Sequence, residues 1–215
     1  INIHDMKYAK RFIYPPRPKN MIQSIDLVSY DDGSMISQIK SNGSNCVLIT
    51  NGKEYQVMNR HGQRLTNFNL SASEIKSIYS GDGRYMVLNA EYLNKNKNDE
   101  TGNPFNHKLI IFDILVNEGD YLVGRTFENR INLLDNIYGK VECKKDYLYQ
   151  ISENIYRNKS YDSGFQEIYD LYTPIDFIEG LVLKRKNSRL EVSASPENNW
   201  RGQVKCRKGT KNYKY

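Results

Sequence analysis

Cysteine is scarce in this sequence, and its positions form no pattern. The three residues, Cys46, Cys143 and Cys206, lie far apart along the chain. No CxxC pair indicates a zinc site, and an odd, scattered set does not give the disulfide framework of a small secreted protein. We therefore expect a protein that works in a reducing compartment inside a cell.

Long hydrophobic runs are missing as well. No segment approaches the roughly 20 consecutive apolar residues that a membrane-spanning helix needs. Residues 1–5 lack the charged-then-apolar plan of a secretory signal peptide. These absences argue against a membrane protein and a secreted protein, and they favour a cytoplasmic location.

The sequence is rich in basic charge and in aromatic side chains. Its 215 residues carry a formal net charge of +6 and 12% aromatics, mostly tyrosine. The length suits one large domain or two small ones, and the aromatic content is too high for a disordered chain. A basic surface attracts phosphate backbones whatever their sequence, but it can equally be a solvated face, so composition leaves both interpretations open.

Short alternating or apolar segments bounded by turn residues predict a set of mainly antiparallel strands. The strongest hairpin signal is the Asn51-Gly52 pair, and Gly43 marks another turn. The predicted strands are residues 35–40, 46–50, 55–59, 85–93, 109–115, 181–183 and 202–206. Between the fourth and the fifth, residues 94–107 are polar and are expected to form an exposed loop.

Helical periodicity is confined to two segments. Residues 128–137 repeat apolar side chains at helical spacing after Thr126, with Gly139 as the expected stop, and residues 163–172 are a weaker candidate. Residues 1–24, which contain a proline-rich stretch, predict an extended N-terminal arm. Because there is no internal repeat or long linker, we expect residues 1–215 to form one α+β domain.

Lys40 is the candidate covalent nucleophile. An enzyme that attaches a nucleotide to itself needs an amine, cations for the phosphates, carboxylates for a divalent metal and an aromatic face for the base. The segment Lys40-Ser41-Asn42-Gly43 offers the amine, and its glycine keeps the backbone small where phosphates approach. Alone, the segment is weak evidence, because an exposed lysine before an Asn-Gly turn is common.

Further motif-like segments follow Lys40 in a defined order. They are Arg60-His61-Gly62, Asn89-Ala90-Glu91, Phe112-Asp113, Glu179-Gly180-Leu181-Val182-Leu183-Lys184, and Val204-Lys205-Cys206-Arg207-Lys208. In this order they resemble the motifs of the covalent nucleotidyltransferases, the superfamily of ATP-dependent DNA ligases, RNA ligases and mRNA capping enzymes. Residues 112–134, which include Glu128 and Arg130, resemble the ligase branch in particular.

The resemblance implies a role for each of these side chains. Lys40 would attack the α-phosphate of ATP, expel pyrophosphate and become a lysyl-AMP phosphoramidate. Phe112 would stack on adenine, and Arg60 would hold the ribose or an incoming 5′-phosphate. Glu91 and Glu179 would contact the ribose or bind Mg²⁺ or Mn²⁺, directly or through its waters.

Other residues of these segments are implied in nucleotide binding. Lys205 would neutralise charge on the α-phosphate during the displacement, with Lys184 assisting. Asp113 is expected to be structural and to orient its neighbours. The additional expected nucleotide-binding residues are Gln38, Asn45 and Arg207.

The sequence leaves open which strands are joined. The family usually has aspartate where this chain has Asn42, and Gly43-Ser44-Asn45 is similar to the glycine–hydroxyl–asparagine sequence of RNA-joining members. No OB-fold, the module that normally comes next in DNA ligases and capping enzymes, fits into residues 209–215. These features favour RNA in at least one strand, whereas residues 128–134 favour DNA ligases.

The last motif leaves its second basic residue open. Family members have two basic residues there, separated by one position. Aligned from Trp200, these positions are Gln203 and Lys205, and aligned on the RNA ligase form they are Lys205 and Arg207. The tail at residues 209–215 alternates basic and aromatic side chains, which suits either a nucleic-acid strand or a frayed, solvated terminus.

The resemblance therefore implies a single α+β adenylyltransferase domain, ATP-grasp-like, with antiparallel sheets framing a nucleotide cleft. The implied function is a minimal, phage- or virus-like ATP-dependent polynucleotide ligase that is monomeric, uses Mg²⁺ and acts on a nicked duplex or paired ends. One alternative is a GTP-dependent mRNA capping guanylyltransferase, which residues 112–134 and the missing OB-fold disfavour. The other is a non-catalytic nucleic-acid-binding module, which need not have kept Lys40, Glu179 and Lys205.

Overall fold

The computed structural model describes residues 12–193 and 195–209. The beginning of the predicted arm and most of the basic–aromatic tail, residues 1–11 and 210–215, lie outside the described residues. The strands are β1 (Arg17–Ile22), β2 (Met35–Ser41), β3 (Ser44–Thr50), β4 (Tyr55–Asn59), β5 (Met86–Leu93), β6 (Lys108–Asn117), β7 (Asp120–Tyr121), β8 (Leu148–Gln150), β9 (Ile155–Asn158), β10 (Ile178–Arg185) and β11 (Asn199–Arg207). The helices are α1 (Leu27–Tyr30), α2 (Ala72–Ser77), α3 (Phe127–Tyr138) and α4 (Phe165–Tyr172), with a 3-10 turn at Ser24–Asp26.

The strands form two sheets, which confirms the predicted α+β class. The smaller sheet has the order β1-β11-β10-β2, and the larger has the order β4-β3-β5-β6-β9-β8, with β7 paired to β6. Most neighbours are antiparallel, but β1 runs parallel to β11 and β6 runs parallel to β9. Both helices predicted from periodicity are present, and each predicted strand corresponds to an observed one within a few residues.

The chain crosses from one sheet to the other immediately after Lys40. β2 lies in the smaller sheet and β3 in the larger, so the turn at Asn42 and Gly43 joins the two. A Cβ on Gly43 would lie 2.3 Å from the backbone oxygen of Tyr92, and a side chain is therefore excluded there. Gly43 is therefore needed because the backbone of Tyr92 lies so close to it. The sequence predicted a different reason, namely room for the phosphates of a nucleotide.

Two clusters of buried apolar side chains hold the sheets. One fills the larger sheet and its contact with α2 and α3, and includes Val47, Leu88 and Leu134. The other joins the sheets, because Ile39 and Leu181 of the smaller sheet share it with Ile110 of the larger. Each fully buried side chain of this kind contributes about 1.5–3 kcal/mol, so the second cluster fixes the relative position of the two sheets.

Helix α3 begins and ends where the sequence predicts. The Thr126 side chain accepts a hydrogen bond from the Asn129 backbone N–H, and Gly139 ends the helix with φ of 69°. The helix buries Phe127, Ile131 and Leu134 against the larger sheet, as its periodicity requires. It also buries Arg130.

Several elements were not predicted from the sequence, including α1 and β7. Within the predicted arm, Arg17–Ile22 is the edge strand β1, where Pro18 is tolerated because an edge strand has one unpaired side. Helix α2 and the β8–β9 hairpin are too short to give a clear period. Within residues 12–193 and 195–209, no helix is long and apolar enough to cross a membrane.

Candidate active site

A cleft of about 280 Å³ is lined by residues of both sheets. Its size is at the lower end of small-molecule binding sites. Every residue predicted from the sequence to bind or react with a nucleotide lines it. These residues are Gln38, Lys40, Asn45, Arg60, Glu91, Phe112, Glu179, Lys184, Lys205 and Arg207.

Lys40 forms an ion pair with Glu179 across neighbouring strands. Lys40 Nζ donates a hydrogen bond to Glu179 Oε2 at 2.5 Å, and both side chains are partly exposed, at 20% and 26%. The pairing of β10 with β2 shifts register between Ile178 and Gly180, which places Gly180 opposite Lys40. Gly180 has φ of 150°, and a Cβ there would lie 1.8 Å from the Cys206 backbone oxygen, so only glycine lets β10 carry Glu179 into the cleft at this point.

Glu91 lies on the larger sheet and faces the same pair. Its Oε1 accepts a hydrogen bond from the Gly43 backbone N–H at 3.1 Å. Burial raises the pKa of the Glu91 carboxyl to about 7, with Glu179 raising it further and Lys40 opposing the rise. The carboxyl is therefore partly protonated near neutral pH until a cation is brought to it. Asn45, its partner across β3 and β5, stands beside it.

β11 presents alternate side chains to the cleft. Gln203, Lys205 and Arg207 follow one another at two-residue spacing, and all three line it. Burial lowers the pKa of the Lys205 amine, and the cations Arg207, Lys40 and Arg17 lower it further. Arg207 Nε lies 3.7 Å from Glu179 Oε2, the oxygen that Lys40 also contacts. Both alignments of the last motif thus lead to the same face of the same strand.

The cleft carries a large excess of positive charge. Seven lysine and arginine residues line it against two glutamates, and one of those glutamates has a raised pKa. The cations are Arg17, Lys40, Arg60, Lys95, Lys184, Lys205 and Arg207. A concave surface of this sign concentrates polyanions, because a low-dielectric wall focuses the field.

The other end of the cleft is buried. The Lys184 residue is 4% exposed, and its Nζ lies 4.6 Å from the centre of the Phe112 ring and 4.7 Å from that of Phe127. The ammonium donates to Gln38 Oε1 at 2.8 Å, and Gln38 Nε2 donates to Ser160 Oγ at 3.1 Å. Burial lowers the pKa of Lys184 to about 8, against an opposing effect of Asp113. Phe112 is half-buried, so part of its ring remains available to a ligand.

Asp113 and Arg130 form a buried ion pair behind this end. Arg130 Nε and Nη2 donate to the two carboxylate oxygens of Asp113 at 2.8 and 2.9 Å, and Nη1 donates to the Arg125 backbone oxygen. The Arg130 side chain is 0% exposed. Such a bidentate pair fixes the orientation of both partners, so the structure agrees with a structural role for Asp113 and ties α3 to β6 next to Phe112.

Three polar residues of the cleft were not predicted from the sequence. Arg17, Lys95 and Asn158 line the cleft but belong to no recognised motif. For Arg17 the sequence does contain a signal. It lies between Pro16 and Pro18, which keep the segment extended, so its side chain points away from the backbone and is available to a neighbouring site. Lys95 lies in a polar loop and Asn158 on a four-residue strand, and nothing in the sequence distinguishes either from its neighbours.

The carboxylates of the cleft fit one divalent cation. Within the part of the chain that the structure describes, no three His, Cys, Asp or Glu side chains group as a metal site. Mg²⁺, however, is commonly held by one or two carboxylates together with water and substrate phosphates. The charge of Glu179 raises the pKa of the Glu91 carboxyl, and a cation held between the two side chains would relieve that repulsion.

The architecture is similar to that of solved ATP-dependent DNA ligases. A mycobacterial DNA ligase D complexed with ATP and MES matches with a TM-score of 0.66 and 15% identity, over 91% of this chain and 60% of that one. The ligase domain of LigD from M. tuberculosis gives a TM-score of 0.63 and 15% identity, over 91% and 59%. The ATP-dependent DNA ligase from bacteriophage T7 in complex with ATP gives a TM-score of 0.55 and 14% identity, over 92% and 69%.

These similarities are confined to structure. No protein-family model matches the sequence, and no curated protein matches it. The chain spans about 60% of the length of the two LigD structures. Its fold is that of the nucleotidyltransferase domain of ATP-dependent ligases, which confirms at the level of fold the resemblance found in the sequence.

Proposed function

We propose that this protein is an ATP-dependent polynucleotide ligase that works through AMP attached to Lys40. The observation that carries the proposal is the position of Lys40, between a carboxylate and a row of cations in the cleft of a ligase-type fold. A lysine that merely precedes an Asn-Gly turn on the surface is not expected to lie in a cleft beside a carboxylate and several cations. The half-buried Phe112 at the other end of the cleft supplies an aromatic face for the base.

The first step is transfer of AMP from ATP to Lys40. The ammonium gives up a proton, for which Glu179 Oε2 is the acceptor in contact, and the Nζ lone pair attacks the α-phosphorus. The bond between the α-phosphorus and the bridging oxygen breaks, pyrophosphate leaves with the electron pair, and the nitrogen loses a second proton. Lys205 and Arg207 face the phosphate as its negative charge builds up. A divalent cation held by Glu91 and Glu179 would supply further charge neutralisation at the nucleotide phosphates.

The second and third steps use the same cleft. An oxygen of a 5′-phosphate attacks the AMP phosphorus, the bond from phosphorus to Lys40 Nζ breaks, and the nitrogen takes up protons. A 3′-hydroxyl then loses its proton and attacks the phosphorus of the activated 5′-phosphate, and AMP leaves with the electrons of the phosphoanhydride bond. Arg60 and Arg17 line the cleft at its exposed rim, where a polyanion can reach them. Because phosphate contacts release counterions, we expect strand binding to weaken steeply as salt concentration rises.

Nucleotide labelling tests the first step. Wild-type protein incubated with α-labelled ATP and a divalent cation should become labelled, and Lys40→Ala and Lys40→Arg should not. The bond should be labile to acid and stable to base, as a phosphoramidate is. Labelling by GTP and not by ATP would replace the ligase with a capping-type guanylyltransferase. A wild-type protein that takes label from neither nucleotide would rule out both enzymes.

Sealing assays identify whether the protein joins DNA strands, RNA strands or one of each. Nicked duplexes with ribose or deoxyribose on each side of the nick, assayed with the same protein, give four rates whose order identifies the preferred 3′-hydroxyl and 5′-phosphate strands. We expect at least one of the four to be sealed. A protein that takes up AMP but seals none of them would be a nucleotidyltransferase of another kind.

A further inference from the structure

A second, larger hollow of about 810 Å³ continues the cleft beyond Lys40. It shares Asn42, Lys95, Glu179 and Arg207 with the cleft, so the two form one connected depression. Its charged lining consists of four cations and two carboxylates. Of its three lysines, Lys95 and Lys97 belong to no segment singled out in the sequence, whereas Lys208 ends the last motif-like segment.

These three lysines differ in how their charges are compensated. Lys97 Nζ lies 3.1 Å from Asp176 Oδ1, and Lys208 Nζ donates to the backbone oxygens of Thr173 and Ile175. Lys95 Nζ donates to Asn42 Oδ1 at 2.7 Å, and among the described residues no carboxylate lies within ion-pair distance of it. An amide oxygen orients the ammonium without cancelling its charge. Lys95 is therefore held by a neutral partner, with the charge of Glu91 acting on it only from beyond ion-pair distance, and its ammonium is open to an anionic ligand.

Asn42 places Lys95 at one end of the line along which a nucleotide would lie. Side chains alternate along a strand, so Gln38 and Lys40 of β2 share a face, and Asn42 follows at the same spacing. The Asn42 backbone N–H still donates to the Phe177 oxygen, which continues the strand direction. A nucleotide bound with its base near Gln38 and its α-phosphate at Lys40 would extend its remaining phosphates along this line, towards Asn42 and Lys95.

We propose that Lys95, held by Asn42, binds the β- and γ-phosphates of ATP and the pyrophosphate they become. The inference rests on the proposed function and adds a residue to it. In the reverse reaction a pyrophosphate oxygen attacks the AMP phosphorus, the bond from phosphorus to Lys40 Nζ breaks, the nitrogen takes up protons and ATP forms. Lys95 forms no covalent bond and acts by holding the phosphates.

Pyrophosphorolysis with inorganic pyrophosphate measures this contact directly. Protein carrying labelled AMP on Lys40 is mixed with increasing pyrophosphate, and the release of labelled ATP is followed. For Lys95→Met we expect the half-saturating pyrophosphate concentration to rise about tenfold, the loss typical of one charged hydrogen bond, and Lys95→Arg should restore most of it. Lys95 is exposed, so the substitution should not unfold the protein. Lys53→Met, an exposed lysine in the turn at the far end of β3, is the charge-matched control.

Asn42→Asp tests the role of the neutral amide. A carboxylate at this position would pair with Lys95 and cancel its charge, so the half-saturating concentration should rise again although Lys95 is present. Equal values for Lys95→Met and Lys53→Met would overturn the inference. The inference would also be overturned if Lys95→Met were defective only in sealing a pre-adenylylated nick. Lys95 would then bind the nucleic-acid strand and not pyrophosphate. If wild-type protein forms no adenylate at all, it is the proposed function that fails.

Discussion

The two ends of the cleft differ in how firmly their cations are buried and held before any ligand arrives. One end contains Gln38, Phe112 and Lys184, and we call it the base end because the proposed function puts adenine there. At this end Lys184 and Gln38 are almost fully buried and are hydrogen-bonded to each other. The opposite end contains Lys40, Lys205 and Arg207, and we call it the phosphate end. Here Lys205 is partly exposed, Arg207 is exposed, and both lie near other cations. The base end is thus organised by the protein itself, whereas the phosphate end leaves positive charge for the ligand to neutralise. Substitutions at the base end should therefore affect folding and affinity, and those at the phosphate end should affect the reaction.

The largest effect on stability is expected behind the base end. Asp113→Asn removes the charge that compensates the fully buried Arg130, and loss of one partner of a buried ion pair costs about 3–5 kcal/mol. The free energy of unfolding, measured by urea titration, should fall by that amount. Asp82→Asn, which breaks the exposed pair with Arg84, is the matched control and should leave the free energy of unfolding almost unchanged. Equal losses in the two variants would contradict the assigned role of the buried pair.

At the phosphate end the expected effect is on rate. Lys205→Met removes a cation facing the reacting phosphate and should slow adenylylation by about 10²–10³-fold, equivalent to about 3–4 kcal/mol, with little change in unfolding free energy. Arg207→Met and Gln203→Met, measured in parallel, identify the second residue of the motif, because the one that acts on the phosphate should show the larger rate loss. If Lys205→Met is adenylylated at the wild-type rate, Lys205 does not have the proposed electrostatic role.

For Lys184 the sequence predicted assistance to Lys205 at the α-phosphate, whereas its contacts with Gln38 and Phe112 favour a positioning role near the base. We expect its substitution to lower the affinity for ATP and to raise stability. Lys184→Met should raise the KM for ATP about tenfold, because it removes the ammonium that orients both neighbours. The buried ammonium has a pKa of about 8, below its ordinary 10.5, so its burial costs stability below pH 8, and the cost disappears as pH rises towards 10.5. Lys184→Met should therefore be more stable than wild type at neutral pH, with a gap that closes between those pH values. A variant that loses both stability and affinity at pH 7 would show that the residue is merely structural.

The smallest expected effect is the pH response of Glu91. Its pKa of about 7 lies above the ordinary 4.5, so the folded protein holds this proton more tightly than the unfolded chain does. The resulting stability is complete below pH 4.5 and is lost as pH rises through 7. In metal-free buffer, wild type should lose on the order of 1 kcal/mol relative to Glu91→Gln over that interval, by thermal or urea unfolding. Parallel pH curves for the two proteins would contradict the assignment.

Much of this architecture could be predicted from local patterns. The helix after Thr126 and its stop at Gly139 follow from a capping residue, an apolar period and a glycine, each of which acts within a few residues of chain. The strands around Gly43 and Asn51-Gly52 follow from turn chemistry in the same way. Strand β1 was expected only as an extended arm, because its pairing partner β11 lies some 180 residues later and local sequence carries no information on it.

By itself, the sequence determined the order of the segments that resemble nucleotidyltransferase motifs and the residue types that such chemistry requires. Only the tertiary structure decided that Lys40 and Glu179, 139 residues apart, form an ion pair, and that Lys184 is buried between two rings. It also decided the position of Lys95, a lysine in a polar loop whose amine lies beside Asn42. The physical reason is that propensity and turn chemistry are local, whereas burial, pKa and charge compensation depend on which distant segments the two sheets bring together.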